Sequence, residues 1–273
     1  MRSPQDVNTA VAKLYDTYPF PPDPLSNNPP PGYNWRWNWD TAYSFCTGQK
    51  PERHNIRILD AGCGSGVSTE YLVHLNPLAE VIGIDLSAGT LAIAQERCQR
   101  SGVADRVQFK QMSLFDADQL PGEFDLINSV GVLHHTADPI RGIQALAQKL
   151  APGGLLHIFV YAELGRWEIR LMQEAIALLQ GNQRGDYSNG VKVGRKLFEA
   201  LPEQNALKKR EKDRWSMENH LDECFADMYV HPQQIDYNIP TLKNLIESSG
   251  LDFVGFSNPM VWQLDRLMGS NPE

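Results

Sequence analysis

Between Ile56 and Val160 the chain alternates short apolar runs with helically spaced ones, and this alternation limits the fold more than any other feature. Ile56 to Leu59 reads as a short strand. After a glycine cluster, Val67, Tyr71, Leu72 and Leu75 recur at helical spacing until Pro77 stops them. Val81-Ile82-Gly83-Ile84 reads as a second strand ending at Asp85, and Ser87 is placed to cap a helix carrying Leu91, Ala94 and Cys98. Val107 and Phe109 alternate with polar residues, as in an edge strand. Phe124 to Ser129 is a fourth strand, followed by a helix that Asp138 caps and Pro139 opens, with Ile143, Leu146 and Leu150 on one face. Pro152-Gly153-Gly154 is expected to turn the chain into a fifth strand, Leu155 to Val160. Strands separated by helices pair in parallel through right-handed crossovers, which predicts an α/β, Rossmann-like, doubly wound and mostly parallel sheet. Ligands of such sheets sit outside the carboxyl ends of the strands.

The flanks read differently. Residues 1–50 begin with a short amphipathic pattern (Val7, Val11, Leu14, Tyr15) and run into YPFPPDP and NPPPGYNWRWNWD. Prolines forbid a regular element there, yet a solvated linker would not concentrate Phe20, Tyr33, Trp35, Trp37 and Trp39. The segment is therefore an N-terminal arm, either a strap closing the core or a lid over a ligand. Residues 51–161 form the α/β core. Residues 162–237 carry helical patterns (Trp167, Leu171, Ile176, Leu179; then Val193, Leu197, Leu201) and read as an inserted helical cap over the ligand edge. Residues 238–273 are expected to return to the core with a helix, Pro240 to Ser249, and a strand, Asp252 to Phe256.

Gly62, Gly64 and Gly66 lie where the first strand meets the first helix, and a backbone without Cβ atoms there lets a ligand approach closely. A dinucleotide fingerprint would be GxGxxG, but Val67 holds its last glycine position, which weakens a nucleotide-dependent oxidoreductase reading. With 25 Lys and Arg against 33 Asp and Glu, the net charge of −8 has the wrong sign for neutralising many phosphates, so nucleic acid is a disfavoured partner. Four widely spaced cysteines, Cys46, Cys63, Cys98 and Cys224, suggest neither a zinc ribbon nor a disulfide framework. No run approaches the ~18 apolar residues that a membrane span needs, and residues 1–6 lack an apolar signal region, so a cytoplasmic protein is expected.

Four stretches in order, ILDAGCGSG, GIDLS, FDLINSVGVLHHTADP and LAPGGLLHIFVY, resemble the class I S-adenosylmethionine-dependent methyltransferases. The resemblance covers about Ile56 to Tyr161 plus the final helix and strand. It implies that Gly62, Cys63, Gly64 and Gly66 cradle S-adenosylmethionine, with S-adenosylhomocysteine as product and no metal. Asp85 would accept hydrogen bonds from both ribose hydroxyls, with Leu86 beside it. Asp60 would hold the loop or, through water, the methionine amino group. Asn128 and Val130 would offer backbone carbonyls to the same ammonium. Ser113 and Leu114 would face the adenine, although the family usually has an acid where Ser113 stands, and Asp116 is an alternative for that role.

Methyl transfer from a sulfonium is an in-line displacement with a neutral leaving group, so orientation supplies much of the acceleration. A base matters chiefly when the acceptor must lose a proton. His134 is the first candidate, by resemblance, with His231 in the cap the second. A VLHH turn also serves simply to pin a loop, and adjacent histidines such as His134 and His135 converge poorly on one ion without further ligands. Tyr18, Tyr161, Asp222 and Tyr237 are the candidate acceptor contacts. The run Lys208 to Arg214 mixes signs and reads as a solvated helical face. Asn28-Pro29-Pro30 has no apolar strand before it, unlike the N-P-P-[YF] motif of amide and adenine methylating enzymes, so those substrates are disfavoured. The expected function is methylation of a small or medium-sized acceptor at oxygen, carbon or nitrogen. The alternatives are a protein side-chain methyltransferase and a non-catalytic S-adenosylmethionine-binding protein.

Overall fold

A computed structural model describes residues 3–262. The alternation yields β1 and β2 (Arg57–Ala61, Glu80–Asp85), β3 and β4 (Val107–Gln111, Phe124–Val130) and β5 (Leu150–Phe159), all parallel and in the order β3-β2-β1-β4-β5. The arm holds α1 (Pro4–Thr17) and α2 (Trp39–Thr47). The crossovers are α3 (Val67–Leu75), α4 (Ala88–Arg100) and α5 (Pro139–Ala147). Successive side chains of a strand point to opposite faces, and β1 shows the consequence. Ile58 packs with Leu72 of α3, Cys98 of α4 and Trp39 of α2, whereas Leu59 packs with Ile143 and Leu146 of α5. Both faces are thus covered, as an all-parallel sheet requires.

The cap comprises α6 (Glu163–Gln180), α7 (Tyr187–Ala200), α8 (Ala206–Arg210), α9 (Ser216–Asn219) and α10 (Asp222–Tyr229). It encloses its own apolar cluster of Ile169, Met172, Ile176, Val191, Phe198 and Phe225, into which Leu14 of α1 inserts. The face of α6 differs from expectation. Trp167, Leu171 and Leu179 are exposed, because the stripe Ile169, Met172 and Ile176 is the one turned toward α7 and α10. The last helix, α11 (Ile239–Ser248), sets Leu245 against the α5 face.

Two further expectations are corrected. The fifth strand starts earlier, with Pro152-Gly153-Gly154 inside its span and a register irregularity opposite Phe124 and Leu126. Asp252 to Phe256 forms no strand. The chain leaves α11 through Gly250 at φ 74°, and Phe256 packs on Phe253 and stacks on Trp262. Residues 263–273 of that expected segment lie outside the described residues.

The arm crosses the carboxyl edge of the sheet and is hydrogen-bonded to the core along its length. Asp16 accepts from Ser87 Oγ at 2.5 Å and from the Gly89 amide at 3.2 Å. The Phe20 carbonyl accepts from the Ser65 amide at 3.0 Å, and the Pro21 carbonyl from Ser65 Oγ at 2.6 Å. Buried Arg97 of α4 donates to the Asp23 and Pro24 carbonyls, and Tyr71 to that of Pro31. Prolines leave these carbonyls without a helix or sheet to serve, so they bond to the core instead.

Candidate functional site

The glycine loop bends sharply at the carboxyl end of β1. Gly62, Gly64 and Gly66 have φ of 83°, 51° and 82°, a region that side chains disfavour. A Cβ at each would meet the protein itself: Val132 at 2.4 Å, the Phe20 carbonyl oxygen at 2.5 Å and Ala94 at 2.7 Å. The glycines are therefore demanded by the turn and by the chain's own packing. Cys63 points down into the sheet beside Gly83, and burial raises its thiol well above the usual range.

Two carboxylates flank the loop. Asp85 ends β2 and accepts from the amides of Gly64 and Ser87, each at 2.9 Å, and from Thr90 Oγ1 at 3.4 Å. Burial raises its pKa against these lowering bonds. Asp60 faces Gly83 and Asn128 across the sheet and is closed by neighbours: Ser68 at 2.7 Å, Thr69 at 2.6 Å and Asn128 Nδ2 at 2.8 Å. Asn128 Oδ1 in turn accepts from Trp37 Nε1 of the arm. Ser129, at the end of β4, has a buried hydroxyl with no partner. An acid at the end of β2 and an unpartnered hydroxyl near the end of β4 are an acceptor and a donor on the carboxyl edge of the sheet that suit an adenosyl cation. Val130 and Leu86 are half-buried on this edge. Ser113 caps a short 3₁₀ turn by accepting from the Phe115 amide, while Leu114 turns inward to the core and presents no side chain to an adenine.

A second cluster forms where the arm, the turn after β4 and the cap meet. Tyr15 donates to Asp227 Oδ1 at 2.9 Å and Tyr161 to Asp227 Oδ2 at 3.4 Å. Tyr15 Oη also lies 3.2 Å from His231 Nε2. The His135 and His231 rings stack at 3.6 Å, and His134 lies 4.0 Å from His135 and 4.1 Å from Tyr161. His134 is fully buried with both nitrogens unpartnered. Burial, followed by the charge of neighbouring histidines, pushes the pKa of His134 and His231 well below the ordinary value. Burial thus favours the neutral form of both rings, and His134, the first catalytic candidate, is enclosed between His135 and Tyr161.

His135, Asp227 and His231 present ligand atoms within 4.8 Å of one another, a set of the kind divalent transition metals take. Adjacent histidines in sequence concealed this, because the further ligands come from the cap. His135 donates from Nδ1 to the Gln233 carbonyl and leaves Nε2 bare. The Gln233 amide, however, donates to His231 Nδ1 at 3.2 Å, which puts the His231 proton on Nε2, facing Tyr15. The group is thus a hydrogen-bonded chain from His231 through Tyr15 to Asp227.

Beside this chain lies a cavity of about 390 Å³, bounded by Phe20 of the arm, Phe159 at the end of β5, Tyr161 just beyond it, and Arg166, Trp215 and Asp227 of the cap. Phe20 belongs to both the cavity wall and the glycine loop's cover. Of the expected acceptor contacts only Tyr161 lines it. Asp222 is exposed and pairs with Arg195 at 2.5 Å, Tyr237 packs in the core, and Tyr18 packs on the cap cluster. Tyr15 and Arg166 were missed as site residues, and Asp227 was not singled out among the cap's polar residues. Asp222 and Asp227 share α10, but five residues turn the helix by about 140° beyond a full turn, so only one can face inward. The available signal was the apolar frame of Asp227, with Phe225, Ala226, Met228 and Tyr229 all buried. A second cleft of about 430 Å³, between Lys13 and residues 182–188, contains none of these groups.

Residues 58–154 match the model of a family described as a methyltransferase domain. Over 268 residues the chain is 67% identical to an uncharacterized protein of Synechococcus sp., covering 98% of this chain and 64% of that protein. It is 38% identical over 99 residues to the ubiquinone biosynthesis O-methyltransferase of Methylococcus capsulatus, covering 36% of this chain and 40% of the relative. The chain thus spans less than two thirds of the length of either relative. The solved structure of PKMT2 from Rickettsia typhi in complex with AdoHcy superposes with a TM-score of 0.62, covering 87% of this chain and 45% of that one. At 17% identity that likeness is one of fold.

Proposed function

This chain belongs to the class I S-adenosylmethionine-dependent methyltransferases, and we propose that it methylates the hydroxyl oxygen of a small molecule held between the arm and the cap. When bound, S-adenosylmethionine supplies a sulfonium methyl: an oxygen lone pair of the acceptor forms the new C–O bond, and the C–S pair stays on sulfur as the neutral thioether S-adenosylhomocysteine. Asp85 binds the ribose hydroxyls, and Asp60 with Asn128 holds the loop. Asp227 takes the acceptor's hydroxyl proton. Tyr15 and Tyr161 fix its two oxygens, and burial keeps both phenols protonated as donors. His231 positions Tyr15, and the strap keeps water from the loop.

The observation that carries this reading is the cavity itself, which shares Phe20 with the glycine loop and has Asp227 as its buried acid. Its 390 Å³ falls in the range of about 300–1,000 Å³ usual for small-molecule sites and favours such an acceptor over a protein side chain. Extract fractions screened for acceptor-dependent S-adenosylhomocysteine release, with mass spectrometry of the product, test it. A methylated small hydroxy compound is the expected product. Release that follows only protein fractions would overturn the reading.

A further inference from the structure

Arg166, on the first turn of α6, is only 8% exposed, yet no acid answers its charge. The guanidinium carbon lies 3.7 Å from the centre of the Tyr161 ring, and one terminal nitrogen donates to Gln234 Oε1 at 2.8 Å. Nε is buried without a partner. Among the described residues no carboxylate oxygen comes within 4.0 Å of the group. Asp227, the buried acid in the same cavity, has both oxygens taken by phenols. Arg97 shows how this chain otherwise treats a buried guanidinium: Glu70 lies at 3.6 Å, and three backbone carbonyls accept from it. A buried cation without a counter-ion is costly, and a polar amide answers only part of that cost.

We infer that the acceptor carries a carboxylate that pairs with Arg166, so that its reacting hydroxyl faces Asp227; the substrate class is a hydroxylated aromatic acid. The inference rests on the methyl-transfer reading above for there being an acceptor, and it names that acceptor's chemistry. The planar guanidinium fork matches a carboxylate's two oxygens. One cation balances one negative charge, whereas a phosphate dianion would leave an excess beside Asp227. Phe20, Phe159, Tyr161 and Trp215 supply flat apolar walls for a ring.

The test uses the purified full chain with two matched pairs of probes. Turnover is compared for 3,4-dihydroxybenzoate and catechol, and binding by calorimetry for benzoate and benzamide, with phenyl phosphate as a third ligand. The expected result is a preference of about tenfold or more for each acid over its neutral partner, with benzoate ahead of phenyl phosphate. Arg166→Met should erase the preference while keeping S-adenosylmethionine affinity, and its melting temperature should hold or rise, because an unanswered buried charge has gone. Arg166→Lys should keep part of the preference. Neutral partners binding and reacting as well as the acids in the wild type would overturn the inference and leave methyl transfer standing. So would a lowered melting temperature in Arg166→Met, which would mark Arg166 as a structural residue. Benzoate bound through Arg166, with no hydroxy acid ever methylated, would instead overturn the methyl-transfer reading and leave the anion site standing.

Discussion

Half-buried Asp85 and buried Asp227 are the two acids of the site, but they became visible by different routes. Asp85 closes a strand next to a glycine turn, and strand ends point at the ligand edge whatever the rest of the fold does. Asp227 depends on the facing of a short helix in the cap, which local spacing does not determine. Asp85→Asn should weaken S-adenosylmethionine binding about tenfold or more by calorimetry, since a charge-assisted acceptor is lost. The amide is the appropriate replacement because Asp85→Ala would also strip partners from the Gly64 and Ser87 amides, at a cost of about 1–3 kcal/mol in stability. Asp227→Asn should leave cofactor affinity intact and lower kcat by roughly 10²–10⁴-fold, as loss of a positioned base does. Steady-state kinetics showing an unchanged kcat would remove Asp227 from the reaction.

At the level of elements, the arm and the glycine loop form one unit. The Phe20 carbonyl fills the space a Gly64 side chain would need, and Ser65 holds that carbonyl and its neighbour. Gly64→Ala should therefore lift the strap and force a residue into a left-handed conformation, costing about 1–3 kcal/mol. Limited proteolysis should then cut within residues 18–34, and a cleavage rate equal to wild type would contradict the coupling. The arm's proline and tryptophan content marked it as a covering segment, but not as strap or lid, because both bury aromatic rings. What the structure adds is the arm's bonding partners on the core. The same limit applies to α6, where apolar residues occur on two faces and packing against α7 and α10 selected one.

Among the described residues, five buried or half-buried histidines, His74 included, have pKa values lowered by burial, and this sets the response to acid. His134, His135 and His231 have pKa values lowered by burial first of all, and His157 is lowered to about 4 for the same reason. Below pH 6.5 the unfolded chain takes up protons that the folded chain refuses, so stability is full above that pH and falls beneath it. Each such histidine contributes about 1.4 kcal/mol per pH unit while the folded ring stays neutral. The raised carboxyl groups of Asp60 and Asp85 act in the opposite sense, but only as the pH enters the carboxylate range. Thermal unfolding should therefore occur at a clearly lower temperature at pH 5 than at pH 7.5; equal midpoints would mean the rings are solvated. Treatment with EDTA should leave turnover unchanged, because His231 holds its proton toward Tyr15. Loss of activity restored by Zn²⁺ would instead make His135, Asp227 and His231 a metal centre.

The parallel sheet, its two covered faces, the glycine turn and Asp85 were legible in the chain itself, because strand and helix periods and strand-end positions are local properties. The fold alone decided which residues distant in sequence meet, as Tyr15 meets Asp227 and Phe20 meets Ser65, and that Arg166 is left without an acid partner. Such meetings depend on how a cap and an arm pack over a sheet, and packing is a property of all the surfaces at once.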